Sequence, residues 1–222
     1  MENINLFWII FSYILGSIPF GYIITKFSTK KNILEIGWRK TSGSNVFKNI
    51  GKWQGALTGV LDLGKGFLAV KLAQFLGLST LTQVLSGVAA VTGHNWSCFL
   101  NFAGGRGIGT FVGAGLALIP RTLGLSLIFP IILALIWNAS IGTILLLITI
   151  IFLSSHFNQF ETGGLFGLIS LIPIFIKRLS PIKEIKAAKD KGVLIKNRLI
   201  FDDDKAYSEF RIKRIIRKLT KK

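Results

Sequence analysis

Residues 123–155 read LGLSLIFPIILALIWNASIGTILLLITIIFLSS, and this stretch contains no charged side chain. A helix that crosses the hydrocarbon core of a bilayer needs roughly 20 mostly apolar residues. We predict two short spans here, at 123–137 and 141–155, with Asn138-Ala139-Ser140 as the turn between them. The stretch therefore indicates helices embedded in a membrane rather than the core of a soluble domain.

The same apolar character extends along the chain in both directions, and it predicts five further spans at about 4–24, 53–78, 81–100, 108–119 and 163–177. Because the 108–119 segment is short, a total of five or six spans remains an alternative. The predicted fold class is all-α, a polytopic membrane bundle of about seven transmembrane helices. We assign residues 1–178 to this bundle and residues 179–222 to a basic tail.

Charge is distributed unevenly and orients the bundle. The 222 residues include 27 Lys and Arg but only 10 Asp and Glu, for a formal net charge of +17. Loop 25–52, Arg106 and residues 177–222 hold 24 of the 27 basic residues. Cytoplasmic loops are the ones rich in Lys and Arg. With seven spans, this rule predicts an outside N-terminus and an inside C-terminus, in a multi-pass protein of the inner (cytoplasmic) cell membrane.

The excess of positive charge also bears on the partners of the chain. Nucleic-acid binders can be this basic, but they do not usually separate their basic residues by membrane-length apolar stretches, so we expect no nucleic acid. We expect an anionic lipid surface instead, because the tail segment 210–219 has an apolar stripe surrounded by Lys and Arg. That stripe consists of Ile212, Ile215, Ile216 and Leu219. A solvated basic tail is the alternative, and Asp202-Asp203-Asp204 is interpreted as a solvated acidic patch within it.

One predicted span contains charged residues. Residues 59–66 approximate the phosphate-loop pattern GxxxxGK, but no Ser or Thr follows Lys65 and no strand precedes the segment, so we reject that interpretation. Asp62 and Lys65 are three residues apart and share a helix face. Charges at membrane depth usually pair or serve function. An internal ion pair and a polar floor beneath a substrate pocket both remain open.

A glycine-rich loop, Gly104-Gly105-Arg106-Gly107, precedes the fourth span. Glycines let successive backbone N–H groups form an anion-binding concavity, and the following helix adds its positive end. Arg106 supplies a forked donor suited to phosphate. We include His94 among the candidate phosphate contacts, although a lone His near the end of a span most often packs. The sequence contains no cluster with metal-ligand spacing, and we expect neither a metal nor a cofactor.

A second polar loop, Thr41-Ser42-Gly43-Ser44-Asn45, lies among Arg39, Lys40 and Lys48. Hydroxyl groups next to cations suit an anionic ligand. An ordinary polar loop at the level of the lipid headgroups is the alternative.

Three stretches of the chain resemble the PlsY-type bacterial acyl-phosphate:glycerol-3-phosphate acyltransferases. Residues 16–21 are similar to the family's GSIPFG, residues 44–66 to ATNVxR…LG…GAL…LDxxKG, and residues 93–107 to GHxxPxFLxFxGGKG. The resemblance implies a helical membrane enzyme with seven spans and a cytoplasmic active site. It would transfer an acyl group from an acyl phosphate to the 1-hydroxyl of glycerol 3-phosphate, which gives lysophosphatidic acid.

The resemblance also implies roles for individual residues. Arg106 and the backbone of Gly104, Gly105 and Gly107 would hold a phosphate. Lys48 and Lys65 would add positive potential, and Ser44 and Asn45 would orient hydroxyl or phosphate oxygens. A non-enzymatic anion carrier or channel, and an inactive membrane scaffold derived from the family, are the alternative functions.

The chain departs from the family pattern at several positions. Without gaps, the family's functional Ser falls on Trp38, and Ser42 replaces it only if the loop shifts. Lys48 stands where the family has Arg, and Arg106 stands where it has Lys. The third family motif, His-x-x-Asn-Ile-x-Arg ending in Glu, is not recognisable, and Asn197-Arg198-Leu199 is the candidate for its remnant.

Overall fold

The computed structural model describes residues 2–204, and within them the regular structure is entirely helical. The candidate surface helix at 210–219 lies outside the described residues. Short 3₁₀ turns lie at Ile33–Glu35 and Cys98–Leu100, and a π-helical turn lies at Phe160–Gly164. The α-helices are α1 (Glu2–Ser17), α2 (Phe20–Thr29), α3 (Gly43–Asn49), α4 (Lys52–Phe75), α5 (Thr80–Asn95), α6 (Ile108–Leu118), α7 (Pro120–Ile136), α8 (Ala139–His156), α9 (Leu165–Arg178), α10 (Ile182–Ala187) and α11 (Lys191–Phe201).

Helices occupy every stretch that the sequence predicts as a span. Three segments are long and apolar enough to cross a bilayer, namely Asn3–Thr29, Ala139–His156 and Phe160–Arg178. Helices α6 and α7 are apolar but shorter. Two predicted spans extend beyond their helices. Helix α4 ends at Phe75 rather than at residue 78, and α5 ends at Asn95 rather than at residue 100, because residues 98–100 form a separate 3₁₀ turn after the Ser97 cap.

The first span is broken at Ile18-Pro19, between α1 and α2. Proline lacks a backbone N–H and cannot continue the hydrogen-bond ladder of a helix. At the break, the carbonyl oxygen of Ile18 accepts hydrogen bonds from the N–H of Phe20 at 3.1 Å and from Lys65 Nζ at 2.9 Å. The break in this apolar segment thus provides a backbone acceptor for a buried lysine.

The core lies between α4, α5, α6, α8 and α9. Phe111 and Phe166 stack at its centre, with ring centroids 4.6 Å apart and both side chains fully buried. Large apolar side chains also point outward, and Phe129, Leu135 and Phe152 are each about two-thirds exposed. Soluble monomers rarely expose so much contiguous apolar surface. This outer surface is the one expected to face lipid.

Helices α4 and α6 pack with their backbones in close contact. A Cβ added to Gly66 would collide with the backbone carbonyl of Thr110, and one added to Gly113 would collide with that of Leu63. Small residues allow this approach, and the resulting van der Waals contact is a main source of helix association in membranes.

We predict that Gly66→Ala destabilises the protein by roughly 1–3 kcal/mol, because the added methyl group forces α4 and α6 apart. Gly64→Ala is the matched control on the same helix, since a Cβ there meets nothing within 4 Å. Thermal unfolding in detergent measures both variants. Equal melting temperatures for the two would contradict the packing described here.

Candidate active site

Four segments distant in sequence meet at one end of the bundle: 37–48, 102–106, 137–140 and 177–204. The backbone N–H of Thr41 donates a long hydrogen bond, 3.5 Å, to the carbonyl oxygen of Gly104. The two loops that the sequence analysis associates with phosphate therefore lie side by side.

Asn45 organises the first of these loops. Its Oδ1 accepts a hydrogen bond from the N–H of Trp38 at 3.0 Å, and its Nδ2 donates to the carbonyl oxygens of Ile36 and Lys40 at 3.1 and 2.8 Å. The side chain is fully buried, and Asn49 makes a further contact with it. In the described structure Asn45 holds the shape of residues 36–40, whereas the sequence analysis expects it to orient the substrate.

The glycine loop packs tightly on the end of α5. A Cβ on Gly104 would collide with the backbone of His94 and Asn95, and one on Gly105 would collide with the ring of His94. Gly107 has a φ of 75°, a left-handed conformation that side chains rarely adopt, and it is the N-cap of α6. The unpaired N–H groups of the first turn of α6 and its positive end therefore follow directly after Arg106.

Beneath this loop lies a buried polar cluster. Asp62 forms an ion pair with Lys65 Nζ at 2.9 Å and contacts His94 Nδ1 at 3.3 Å, and all three side chains are nearly inaccessible. The cluster links α4 to α5 and, through Ile18, to the break after α1. It supports the glycine loop from below, since the ring of His94 lies directly under Gly105.

Arg106 is the central cation of this end of the bundle. Its Nη1 donates to the carbonyl oxygen of Lys177 at 2.7 Å, and its Nη2 forms an ion pair with the Asp202 carboxylate. Burial lowers the pKa of Arg106, and Asp202 opposes that shift. The guanidinium of an arginine is always charged in proteins, so the site keeps a fixed positive charge.

The tail segment is held against the site by ion pairs. Arg198 pairs with Glu184 and, at 2.7 Å, with Asp204, while Arg39 pairs with Glu184 at 3.0 Å. Burial lowers the pKa of Arg198, but hydrogen bonds to Asp204 and Glu184 outweigh it and hold that pKa above its ordinary value. Arg178 adds hydrogen bonds to the carbonyl oxygens of Leu199 and Ser140, at 2.5 and 3.0 Å.

Two adjacent cavities open between these segments, with volumes of about 380 and 350 Å³. Five residues line both: Trp38, Lys40, Arg106, Asp202 and Asp203. The first cavity also contains Gly104, Lys177 and Arg198. The second contains Ser42, Ser44 and Lys48, and beside them the apolar Ala134, Trp137 and Phe201. Cations, hydroxyl groups and an apolar wall together suit a ligand with a phosphate and a hydrocarbon part.

The predicted site residues divide into two groups. Those that line a cavity are Ser42, Ser44, Lys48, Gly104 and Arg106. The rest line neither cavity in the described structure. Gly105 and Gly107 lie behind Arg106, while Asn45, Lys65 and His94 are buried among protein partners.

Comparison with known proteins agrees with this architecture. The model of the family described as glycerol-3-phosphate acyltransferase matches residues 6–188. Glycerol-3-phosphate acyltransferase 4 of Dehalococcoides mccartyi (strain CBDB1) is 31% identical over 212 residues, which cover 92% of this chain and 91% of that protein. The chain belongs to the glycerol-3-phosphate acyltransferase family. This confirms the resemblance drawn from the three sequence stretches.

Other members of the glycerol-3-phosphate acyltransferase family match in part or in structure. The protein of Prochlorococcus marinus (strain MIT 9215) is 40% identical over 114 residues, 51% of this chain and 58% of that relative, so the match spans little more than half of its length. The crystal structure of PlsY (YgiH), an integral membrane glycerol 3-phosphate acyltransferase in its glycerol 3-phosphate form, superposes with a TM-score of 0.71. It is 26% identical, and the alignment covers 82% of this chain and 92% of that one.

Several residues that line the cavities are not predicted as site residues from the sequence. Lys177 is assigned to the last span, yet it lines the first cavity, and its Nζ lies 5.2 Å from the Trp96 ring centroid. Asp202 is expected to be solvated, yet it is mostly buried against Arg106. Arg198 belongs to the weak remnant of the third family motif, which is the one sequence signal pointing to it.

We predict that Asp62→Leu destabilises the protein by about 3–5 kcal/mol, because it leaves Lys65 buried without a counter-charge. The double variant Asp62→Leu/Lys65→Met removes both charges and should recover most of that loss. Thermal unfolding in detergent compares them. A double variant as unstable as the single one would show that the ion pair itself is not the source of the stability.

Proposed function

We propose that this chain is a membrane acyltransferase that moves a fatty acyl group from an acyl phosphate to the 1-hydroxyl of glycerol 3-phosphate. The product is lysophosphatidic acid, a precursor in phospholipid synthesis. One observation carries the proposal: Arg106, at the N-terminal end of α6, lines two adjoining cavities that other cations and hydroxyl groups also line. Membership of the glycerol-3-phosphate acyltransferase family supports the choice of acceptor.

Substrate binding follows from the charges of the site. Both substrates carry phosphate, and Arg106 reaches both cavities. Lys48 adds a second cation to the second cavity, where Ser42 and Ser44 lie with their hydroxyl oxygens 3.3 Å apart. These hydroxyl groups orient phosphate or glycerol oxygens, and the acyl chain extends along the apolar wall toward the lipid.

The chemistry requires positioning more than a protein nucleophile. The 1-hydroxyl oxygen of glycerol 3-phosphate attacks the acyl carbon, a new ester C–O bond forms, and the bond from the acyl carbon to the phosphate oxygen breaks. Inorganic phosphate leaves with the electron pair, and its departing oxygen takes up the hydroxyl proton, so that the second product is hydrogen phosphate. Arg106 and the N–H groups at the start of α6 stabilise the charge that develops on the phosphate. Asn45 and His94 act as positioning residues beneath the two loops.

The finer topology belongs to the same proposal. Seven spans with an outside N-terminus and an inside C-terminus give all four cavity-forming segments a cytoplasmic position. That orientation in an inner cell membrane fits the concentration of Lys and Arg in the same segments. The basic tail would then face an anionic leaflet.

We predict that Arg106→Ala lowers kcat/KM at least about 100-fold, since it removes the donor that faces the developing phosphate charge. Arg106→Lys keeps the charge but not the forked donor, and its kcat/KM should lie between those of Arg106→Ala and the wild type. The assay measures lysophosphatidic acid and phosphate released from acyl phosphate and glycerol 3-phosphate in detergent.

The control for this experiment is Arg121→Ala, which removes an exposed arginine at the opposite end of the bundle and should leave turnover unchanged. Unchanged activity in a folded Arg106→Ala protein would remove Arg106 from the reaction. Absence of turnover by the wild type together with anion flux in liposomes would instead support a carrier, an alternative that the family match does not favour.

A further inference from the structure

A carboxylate of the chain occupies the side of Arg106 that faces the cavities. Arg106 Nη1 is engaged by the carbonyl oxygen of Lys177, so Nη2 is the group that meets Asp202. The side chains of Arg106 and Asp202 are only 12% and 20% exposed, and both residues line both cavities. The ion pair therefore lies where the two cavities adjoin.

The backbone holds this carboxylate in place. Asp202 caps the C-terminus of α11 with a φ of 55°, and its N–H donates to the carbonyl oxygen of Arg198 at 3.0 Å. Two residues later, Asp204 is bound by Asn197 at its carbonyl oxygen and by Arg198 at its side chain, at 3.0 and 2.7 Å. The turn that presents Asp202 is thus fixed from both sides.

Carboxylates and phosphates bind a guanidinium through the same forked geometry. A phosphate that enters either cavity meets Arg106 with its cavity-facing nitrogen already paired. The displaced carboxylate keeps a second cation, since Arg178 also acts on Asp202 electrostatically.

We propose that Asp202 is an internal competitor of the substrate phosphate for Arg106. It keeps the arginine paired when no substrate is bound, and it sets how strongly a phosphate must bind to take its place. The inference rests on the proposed function in that Arg106 is taken as the phosphate-binding group. It adds a residue that controls affinity, in a position that the sequence resemblance does not assign.

The competition depends on pH. Burial raises the pKa of the Asp202 carboxyl to about 6, against the opposing effect of Arg106 and Arg178, and Asp203 adds to the rise. Below that pH the carboxyl is neutral and releases Arg106, whereas above it the charged carboxylate competes. Phosphate affinity of the wild type should therefore fall, relative to a variant without the carboxylate, as the pH rises through about 6.

The test uses the full chain in detergent and measures binding of inorganic phosphate by calorimetry. Asp202→Asn keeps the shape but removes the charge, and Asp202→Gly removes the side chain. Both residues tolerate a φ of 55°. If the pair is closed in about nine of ten molecules, either variant should bind phosphate about tenfold more tightly at pH 8. Phosphate itself titrates in this range, so the affinity of each variant is divided by that of the wild type at the same pH. This affinity ratio should approach one at pH 5.

Controls separate this effect from a general loss of negative charge or of folding. Glu161→Gln removes a distant exposed carboxylate and should leave the phosphate affinity unchanged, and thermal unfolding shows that each variant is folded. In an Arg106→Ala background, Asp202→Asn should have no effect on phosphate binding. Folded Asp202 variants that bind phosphate equally or more weakly than the wild type would make the ion pair a structural clamp and overturn the proposal.

Turnover distinguishes this inference from the proposed function. Tighter phosphate binding by the variants, in a protein that forms no lysophosphatidic acid, would leave the competitor standing and reject the acyltransferase. Normal acyl transfer by the wild type, with no gain in phosphate affinity on removing Asp202, would support the acyltransferase and reject the competitor. Loss of turnover in Asp202→Asn with unchanged phosphate binding would assign Asp202 to the chemical step and also overturn the competition.

Discussion

The buried carboxylate of Asp62 is the interaction on which the rest of the structure depends. In an apolar interior a lone charge is very costly, and pairing is what makes it tolerable. Asp62 meets this requirement with Lys65 on its own helix and His94 on the next, and Lys65 in turn donates to the carbonyl oxygen of Ile18 at the break in the first span. The cluster therefore fixes α4, α5 and the break in the first span relative to one another.

The geometry of the candidate site depends on that cluster. His94 lies beneath Gly105, so the glycine loop can take only the path that delivers Arg106 to the start of α6. Asn45 supports the neighbouring loop in a similar way, through hydrogen bonds to the backbone of Trp38 and Lys40. The loops that carry Lys48 and Arg106 are held by Asn45 and His94, which line neither cavity. Rigid support of this kind is what preorganised electrostatic stabilisation requires.

The tail contributes charges of both signs to the same site. Arg198 brings positive charge that Glu184 and Asp204 largely neutralise, while Asp202 neutralises part of Arg106. The local field at the cavities is therefore much weaker than the net charge of +17 suggests. Under our proposal, a phosphate exchanges with the Asp202 carboxylate at Arg106 rather than binding to an open basic surface.

The sequence by itself determined the helical membrane architecture, because apolar length is a local property that no distant contact can reverse. It also singled out Ser42, Ser44, Lys48, Gly104 and Arg106, which line the cavities, because hydroxyl groups, glycines and cations close together suit an anionic ligand. Only the tertiary structure decided that Asn45, Lys65 and His94 are supports, and that Lys177, Arg198 and Asp202 reach the cavities. These assignments depend on contacts between side chains that are tens of residues apart in sequence. The spacing of residues along the chain does not predict such contacts.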